Sequence, residues 1–132
     1  MILIDANIFM YAVGAAHPNK PPAIDYLRRV ANGEVDAATD AEVLQEILHC
    51  YRAIRRWDDG SRVYDLVKSV VPRVLPITAD IVDQARSKME ADSKLGARDA
   101  IHAAVALVNG CTAICTYDRA FDRIAGLGRV TP

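Results

Sequence analysis

Met1-Ile2-Leu3-Ile4-Asp5-Ala6-Asn7 opens the chain, and its reading decides the fold. An apolar run that ends in Asp-x-Asn is how a buried parallel strand delivers a carboxylate to the mouth of a sheet. A strand is therefore expected over Ile2 to Asp5, with chemistry beginning at residue 5. Three more acids stand where hydrophobic patterning predicts the edge of a core. Glu46 lies inside the apolar stretch Val43 to Leu48, Asp99 heads an Ala-rich segment, and Asp118 follows Thr112-Ala113-Ile114-Cys115.

Outward from that stretch the chain alternates between strand and helix signals. Apolar residues keep helical spacing after strand one through Tyr11. Pro21-Pro22 can open a helix whose stripe is Ile24, Leu27 and Val30, up to Asn32-Gly33. Val35 to Thr39 reads as a second strand. Thr39-Asp40 then caps a helix with Val43, Leu44, Ile47 and Leu48 inward, running to about Arg56. Asp58-Asp59-Gly60-Ser61 is expected to break the chain before an amphipathic helix through Val63, Leu66, Val67 and Val70.

Val74 to Ile77 reads as a third strand, with Pro76 marking a sheet edge. Thr78-Ala79-Asp80 caps the next helix, which Lys94-Leu95-Gly96 stops. Arg98 to Asn109 is apolar almost all round, the mark of a buried helix. Ala113 to Thr116 is a fourth strand, Arg119 to Ala125 a short helix, and Arg129-Val130-Thr131 a fifth strand at an edge. Strands interleaved with helices imply an α/β fold, a parallel sheet covered on both faces by right-handed crossovers. Active sites of such sheets lie beyond the carboxyl ends of the strands, where Asp5 and Asp118 both fall.

A length of 132 residues and a hydrophobic share of 52% suit one compact domain, 1–132, and exclude disordered and disulfide-scaffold classes. Three Cys, all in apolar segments, suit buried reduced thiols and a cytoplasmic location. Cys111-x-x-x-Cys115 lacks the second pair or nearby His that a metal site needs. No basic leader precedes the first apolar run, so no signal peptide is expected. The longest apolar run is too short for a membrane span. A net charge of −1 exerts no global pull on nucleic acid or lipid. Basic residues gather locally at Arg28-Arg29, at Arg52 to Arg56, and at Arg98, Arg119 and Arg123.

Each acid also has a purely structural use. Asp5 and Asp118 can cap the helices that follow them, Asp99 is favoured by a helix dipole, and Asp122 can be a solvated face residue. Glu46 among apolar neighbours is harder to explain that way, because an unpartnered buried Glu is costly. Together the acids make a sharper pattern. Crowded carboxylates are stable at neutral pH chiefly around a cation, and ligation by oxygen alone suits Mg²⁺ or Mn²⁺. Such an ion accepts phosphate oxygens, which equips a site for phosphodiester hydrolysis.

Four blocks then carry a resemblance: Asp5-Ala6-Asn7, Val43 to His49, Arg98-Asp99-Ala100-Ile101-His102-Ala103-Ala104, and Thr116-Tyr117-Asp118-Arg119-Ala120-Phe121-Asp122. In order and spacing they resemble the signature blocks of PIN-domain ribonucleases, above all the VapC toxins of toxin–antitoxin pairs. The resemblance implies a three-layer α/β/α PIN-like domain, strand order 3-2-1-4-5, that cuts RNA with Mg²⁺ or Mn²⁺ and leaves 5′ phosphates. It carries the family's acids onto Asp5, Glu46, Asp99 and Asp118, with Asp5, Asp99 and Asp118 as metal ligands. Asn7 and Thr116 become supporting polar residues and Asp122 an outer member. It also implies a cognate antitoxin and a homodimer.

Other readings stay open at this level. Glu46-x-x-His49 and Asp99-x-x-His102 have the spacing of di-iron bundles, which lack interleaved strands. Both His residues are therefore expected to pack near the core or to bond backbone. A phosphatase with Asp5 as nucleophile would need an acid two residues on, where this chain has Asn7. A non-catalytic RNA- or protein-binding dimerisation module, its acids mostly helix caps, is the main alternative to the nuclease. Arg98 and Arg119 are candidate phosphate contacts, and Trp57 and Tyr51 are candidates for burial against a partner.

Overall fold

The computed structural model describes all residues 1–132. In chain order the elements are β1 (Ile2–Ile4), α1 (Ala6–Val13), α2 (Lys20–Ala31), β2 (Ala37–Asp40), α3 (Ala41–Ala53), α4 (Trp57–Val70) and β3 (Val74–Leu75). They continue as α5 (Ala79–Ala91), α6 (Ala97–Val108), β4 (Ala113–Cys115), a 3-10 helix (Arg119–Arg123) and β5 (Gly128–Val130). The strands form one sheet in the order β3-β2-β1-β4-β5, every pair parallel. This is the expected order, with β3 and β5 at the edges. No helix is long and apolar enough to cross a membrane.

Alternation along the strands sends neighbours to opposite faces. Ile4, Ala37 and Cys115 face α1 to α4, in a core that also buries Phe9, Leu27, Val43, Ile47, Val63 and Val67. Leu3 and Ile114 face α5 and α6 with Ile81, Val105 and Phe121. Full burial of one such aliphatic or aromatic side chain contributes about 1.5–3 kcal/mol. The result is three layers, α/β/α. Ala100, Ala103, Ala104 and Ala106 let α6 lie close on the sheet, and all four have no exposed surface.

The expected break at Asp58–Ser61 is wrong: these residues lie inside α4. The chain turns earlier, where Arg56 N donates to Tyr51 O at 2.9 Å, Arg55 N donates to Arg52 O at 3.1 Å, and Arg55 has φ 58°. That is a helix-ending Schellman turn, with Arg in the left-handed position usually held by Gly. Asp58 and Asp59 occupy the first turn of α4, where a helix favours negative charge. Gly60 serves close packing instead, since a Cβ there would stand 2.5 Å from Tyr51 Cβ. The remaining differences are small. Strand ends shift by one or two residues, and the expected helix from Arg119 is a 3-10 turn.

Candidate functional site

The register of the sheet assembles the site. Ile4 pairs with Cys115, and Leu3 pairs with Ala38. One step beyond the paired residues, Asp5 therefore stands beside Thr116, and its backbone N donates to Cys115 O at 3.1 Å. Asp5 then caps α1, Oδ1 accepting from Ala6 N at 2.7 Å. Its other oxygen, Oδ2, accepts from Thr116 Oγ1 at 2.7 Å and from Asn7 Nδ2 at 3.1 Å. The capping use and the site use of Asp5 are thus not exclusive: Oδ1, the capping oxygen, also faces His102 Nε2 at 3.8 Å, while Oδ2 is held by Thr116 and Asn7.

Asn7 and Thr116 form one bonded unit. Asn7 Nδ2 donates to Thr116 Oγ1 at 2.9 Å, and Asn7 Oδ1 accepts from Tyr117 N at 3.3 Å. Asp118 N donates to Thr116 Oγ1 at 3.0 Å, which ties the last acid to the first. Asp118 itself is exposed and caps the 3-10 helix through Ala120 N at 2.8 Å. Asp122 turns away from the cluster. Both its oxygens bind Arg129, at 2.6 and 3.3 Å, and this hydrogen bonding holds its carboxyl below the usual range.

Glu46 sits on α3, whose start is set by Asp40 accepting from Val43 N at 3.0 Å. The Glu46 side chain is 24% exposed and lies between two basic side chains, Arg98 Nη1 at 3.5 Å from Oε1 and His102 Nε2 at 3.6 Å from Oε2. Asp99, half-buried in the first turn of α6, has its carboxyl pushed up by burial, then by the charges of Asp118 and Asp5. Asp5 is likewise pushed up by burial, partly relieved by His102 and by the Thr116 hydrogen bond. Each shift records an acid that would be stabilised by a cation.

His102 was expected to pack near the core or bond backbone. It is buried, but its partners are side chains. Nδ1 lies 2.7 Å from Asp40 Oδ2, while Nε2 faces Asp5 Oδ1 at 3.8 Å and Glu46 Oε2 at 3.6 Å. Burial alone would push the imidazole down. The hydrogen bond to Asp40, the approach of the Glu46 carboxylate, and the charges of Asp40 and Asp5 more than offset it and hold its pKa well above the ordinary value. His49, by contrast, is exposed. Asp40 was read from the sequence only as a cap. The signal that could have found its second role is the polar His102 inside an otherwise apolar helix.

The ligand-capable atoms of Asp5, Glu46 and His102 lie within 4.8 Å of one another. This compact set of mostly hard oxygen donors, with burial pressing against its charges, fits a divalent cation. Two aromatic candidates fall elsewhere. Trp57 is 41% exposed under Arg52, whose guanidinium carbon is 4.2 Å from the ring centroid, and Tyr51 packs against Gly60.

Comparison with known proteins adds a second line. The family profile described as PIN domain matches residues 2–127. Ribonuclease VapC13 of Mycobacterium tuberculosis is 43% identical over 130 residues, covering 98% of this chain and 99% of that protein. The solved structure of VapC20 from the same organism, described as a sarcin-ricin loop cleaving toxin, superposes with a TM-score of 0.81 at 21% identity, covering 100% of both chains. VapBC2 of Rickettsia felis, solved bound to a DNA fragment of its promoter, gives a TM-score of 0.77 at 19% identity, covering 99% of this chain and 98% of that one. At those identities the two structures speak to the fold alone.

Proposed function

Because the chain belongs to the PIN-domain family, we propose that it is a metal-dependent endoribonuclease acting as the toxin of a toxin–antitoxin pair. The observation that carries this reading is Asp5. Its carboxylate is buried at the carboxyl end of the central strand, clamped by Thr116 and Asn7, and directed toward Glu46. A module whose acids only capped helices would need neither that burial nor that clamp.

In this reading residues 1–132 act as one PIN-like unit. Asp5, Asp99 and Asp118 would hold the ion, Mg²⁺ or Mn²⁺. When bound, such an ion lowers the pKa of a nearby water and offsets charge on the phosphate. Glu46 would complete the site and help orient the attacking water or take up its proton on the carboxylate. Asn7 and Thr116 hold Asp5 in place, and Thr116 also fixes the turn into Asp118 through its backbone N–H. Arg98 and Arg119 flank the acids, with Arg98 holding one oxygen of Glu46 and Arg119 free in solvent to meet phosphate.

The partners that follow are an RNA substrate, a cognate antitoxin that silences the site, and a second copy of the chain. Three unpaired thiols, two of them buried, support work in the reducing cytoplasm. The test compares wild type with Asp5→Asn and Asp99→Asn on total cellular RNA, with Mg²⁺, with Mn²⁺ and with EDTA. Discrete fragments bearing 5′ phosphates, lost in EDTA and in both folded variants, are expected. No cleavage by ion-loaded, antitoxin-free wild type, or equal cleavage by the variants, would return the chain to the binding-module reading.

A further inference from the structure

The loop from Gly14 to Asn19, which joins α1 to α2, carries part of a ring system that the acids do not use. His17, exposed, packs on Tyr11 with 4.7 Å between ring centroids and 40° between planes, and Tyr117 meets Tyr11 edge-on at 5.2 Å. Both distances are those of attractive aromatic pairs. Asn19 ties the two outer rings together: its backbone N donates to His17 Nδ1 at 3.0 Å, and its O accepts from Tyr117 Oη at 3.3 Å. The rings are therefore set in place before anything binds.

Beside them lies a cavity of about 410 Å³, within the range of small-molecule sites. Tyr11 and His17 bring their rings to its wall, and Gly14-Ala15-Ala16, with nothing larger than a methyl, leave it open. Asn7 lines it too, and Asn7 donates to Asp5 Oδ2 at 3.1 Å, so the cavity borders the acids directly. No acidic side chain lines it. A second cavity continues past His17 to Lys20, whose ammonium spends one of its three donors on Gly14 O at 2.7 Å. Two donors remain for a ligand.

Core packing accounts for Tyr117, which lies against the larger core, but not for an exposed imidazole pinned beside an open cavity. Rings on one side and an ammonium further on suit a flat aromatic group that carries a negative charge. We propose that this cavity is a nucleobase subsite, in which an unpaired base of single-stranded RNA stacks on Tyr11 and His17 while Lys20 meets a neighbouring phosphate. The inference rests on the nuclease reading, which supplies RNA as the occupant. Unpaired RNA bases are commonly held by stacking on aromatic side chains, and stacking accepts any base. The subsite therefore selects unpaired over paired RNA beside the acids, and not one base over another.

Two probes isolate the base: a short oligouridylate and the abasic ribose-phosphate oligomer of equal length, which keeps every phosphate. Fluorescence anisotropy of the full chain in EDTA and low salt, where nothing is cut, is the measurement. Wild type is expected to bind the base-bearing oligomer about 5–150-fold more tightly, the worth of one stacked base. His17→Leu keeps an apolar side chain without a ring and is expected to lose about 5-fold or more of that preference, leaving the abasic oligomer unaffected. His17→Phe restores a ring and is expected to recover it. The exposure of His17 keeps both variants folded.

Equal affinity for the two oligomers, or no binding of either, would overturn the proposal and leave the cavity to a protein partner. So would wild-type preference in His17→Leu, or a Phe variant no better than Leu. Proton NMR of the unaltered chain checks the same point without a variant: uridine 5′-monophosphate is expected to shift the His17 ring protons upfield, and ribose 5-phosphate is not. No shift, or the same shift with both, overturns the stack. The nuclease reading is tested separately, by cleavage of total RNA with Mn²⁺. Cutting without base preference sinks the subsite alone, base-dependent binding without cutting sinks the nuclease alone, and neither sinks both.

Discussion

The carboxyl ends of β1 and β2 carry the same residue in the same local setting, yet Asp5 and Asp40 end in different environments. Each follows a buried strand, and each caps the next helix, through Ala6 N and Val43 N respectively. Asp5 has its second oxygen held by Asn7 and Thr116, and its carboxylate lies within reach of Glu46. Asp40 is closed off, its second oxygen taken by His102. An Asp at a strand end is thus made chemical or structural by what the neighbouring helix places over it, here α6.

The comparison breaks most visibly through activity. Asp5→Asn removes a charge that a cation needs while keeping shape and cap, so cleavage should fall by about a thousandfold, the effect of losing several kcal/mol of transition-state stabilisation. The metal-free variant should be no less stable than wild type in chemical denaturation, because burial already disfavours the Asp5 charge. A marked loss of stability would make Asp5 a structural acid like Asp40.

Asp40→Ala should show the reverse order of effects. Removing one partner of a buried pair costs about 3–5 kcal/mol, and the lost cap belongs to the same figure. Urea denaturation of the metal-free chain reads this directly. A loss under about 1 kcal/mol, on the scale of an exposed pair, would mean that the bond to His102 anchors nothing.

A smaller effect sharpens the comparison by asking what else aims α3, the helix that Asp40 starts and that carries Glu46. Gly60→Ala forces a methyl into Tyr51, 2.5 Å from its Cβ, and should cost about 1–3 kcal/mol of stability. If the hairpin of α3 and α4 helps to aim Glu46, cleavage will fall along with stability. Stability lost with full cleavage in the folded fraction would leave the cap as the element that aims α3.

The smallest effect tests how tightly the sheet closes beside Asp5. Cys115 pairs with Ile4 in β1, and burial pushes its thiol up to about 12. At pH 8 it stays protonated, so iodoacetamide should leave it unmodified in the folded protein and reach it only after denaturation. Half-buried Cys50 should be alkylated first. Rapid labelling of Cys115, read by peptide mass spectrometry, would show that the sheet opens beside Asp5.

Much of this was legible without coordinates, because it rests on local physics. The alternation of apolar strands with amphipathic helices dictates a covered parallel sheet, and Asp5 and Asp118 follow from strand ends. The break placed at Asp58–Ser61 failed for a definite reason. Gly60 marks a turn by composition, but its missing Cβ is used for contact between helices, and the turn falls at Arg55, which carries no such mark. Sequence alone could not separate a glycine needed for φ from one needed for space.

By itself the sequence determined the covered parallel sheet and the order of elements, and it singled out Asp5, Glu46, Asp99 and Asp118 as candidate acids, since hydrophobic periodicity and motif spacing act over short stretches of chain. Only the tertiary structure decided which polar groups meet across it: Thr116 on Asp5 from 111 residues away, and His102 on Asp40 from 62. Such pairs depend on sheet register and on how closely α6 lies on the sheet. Both are set by packing summed over the whole core, and no local pattern encodes them.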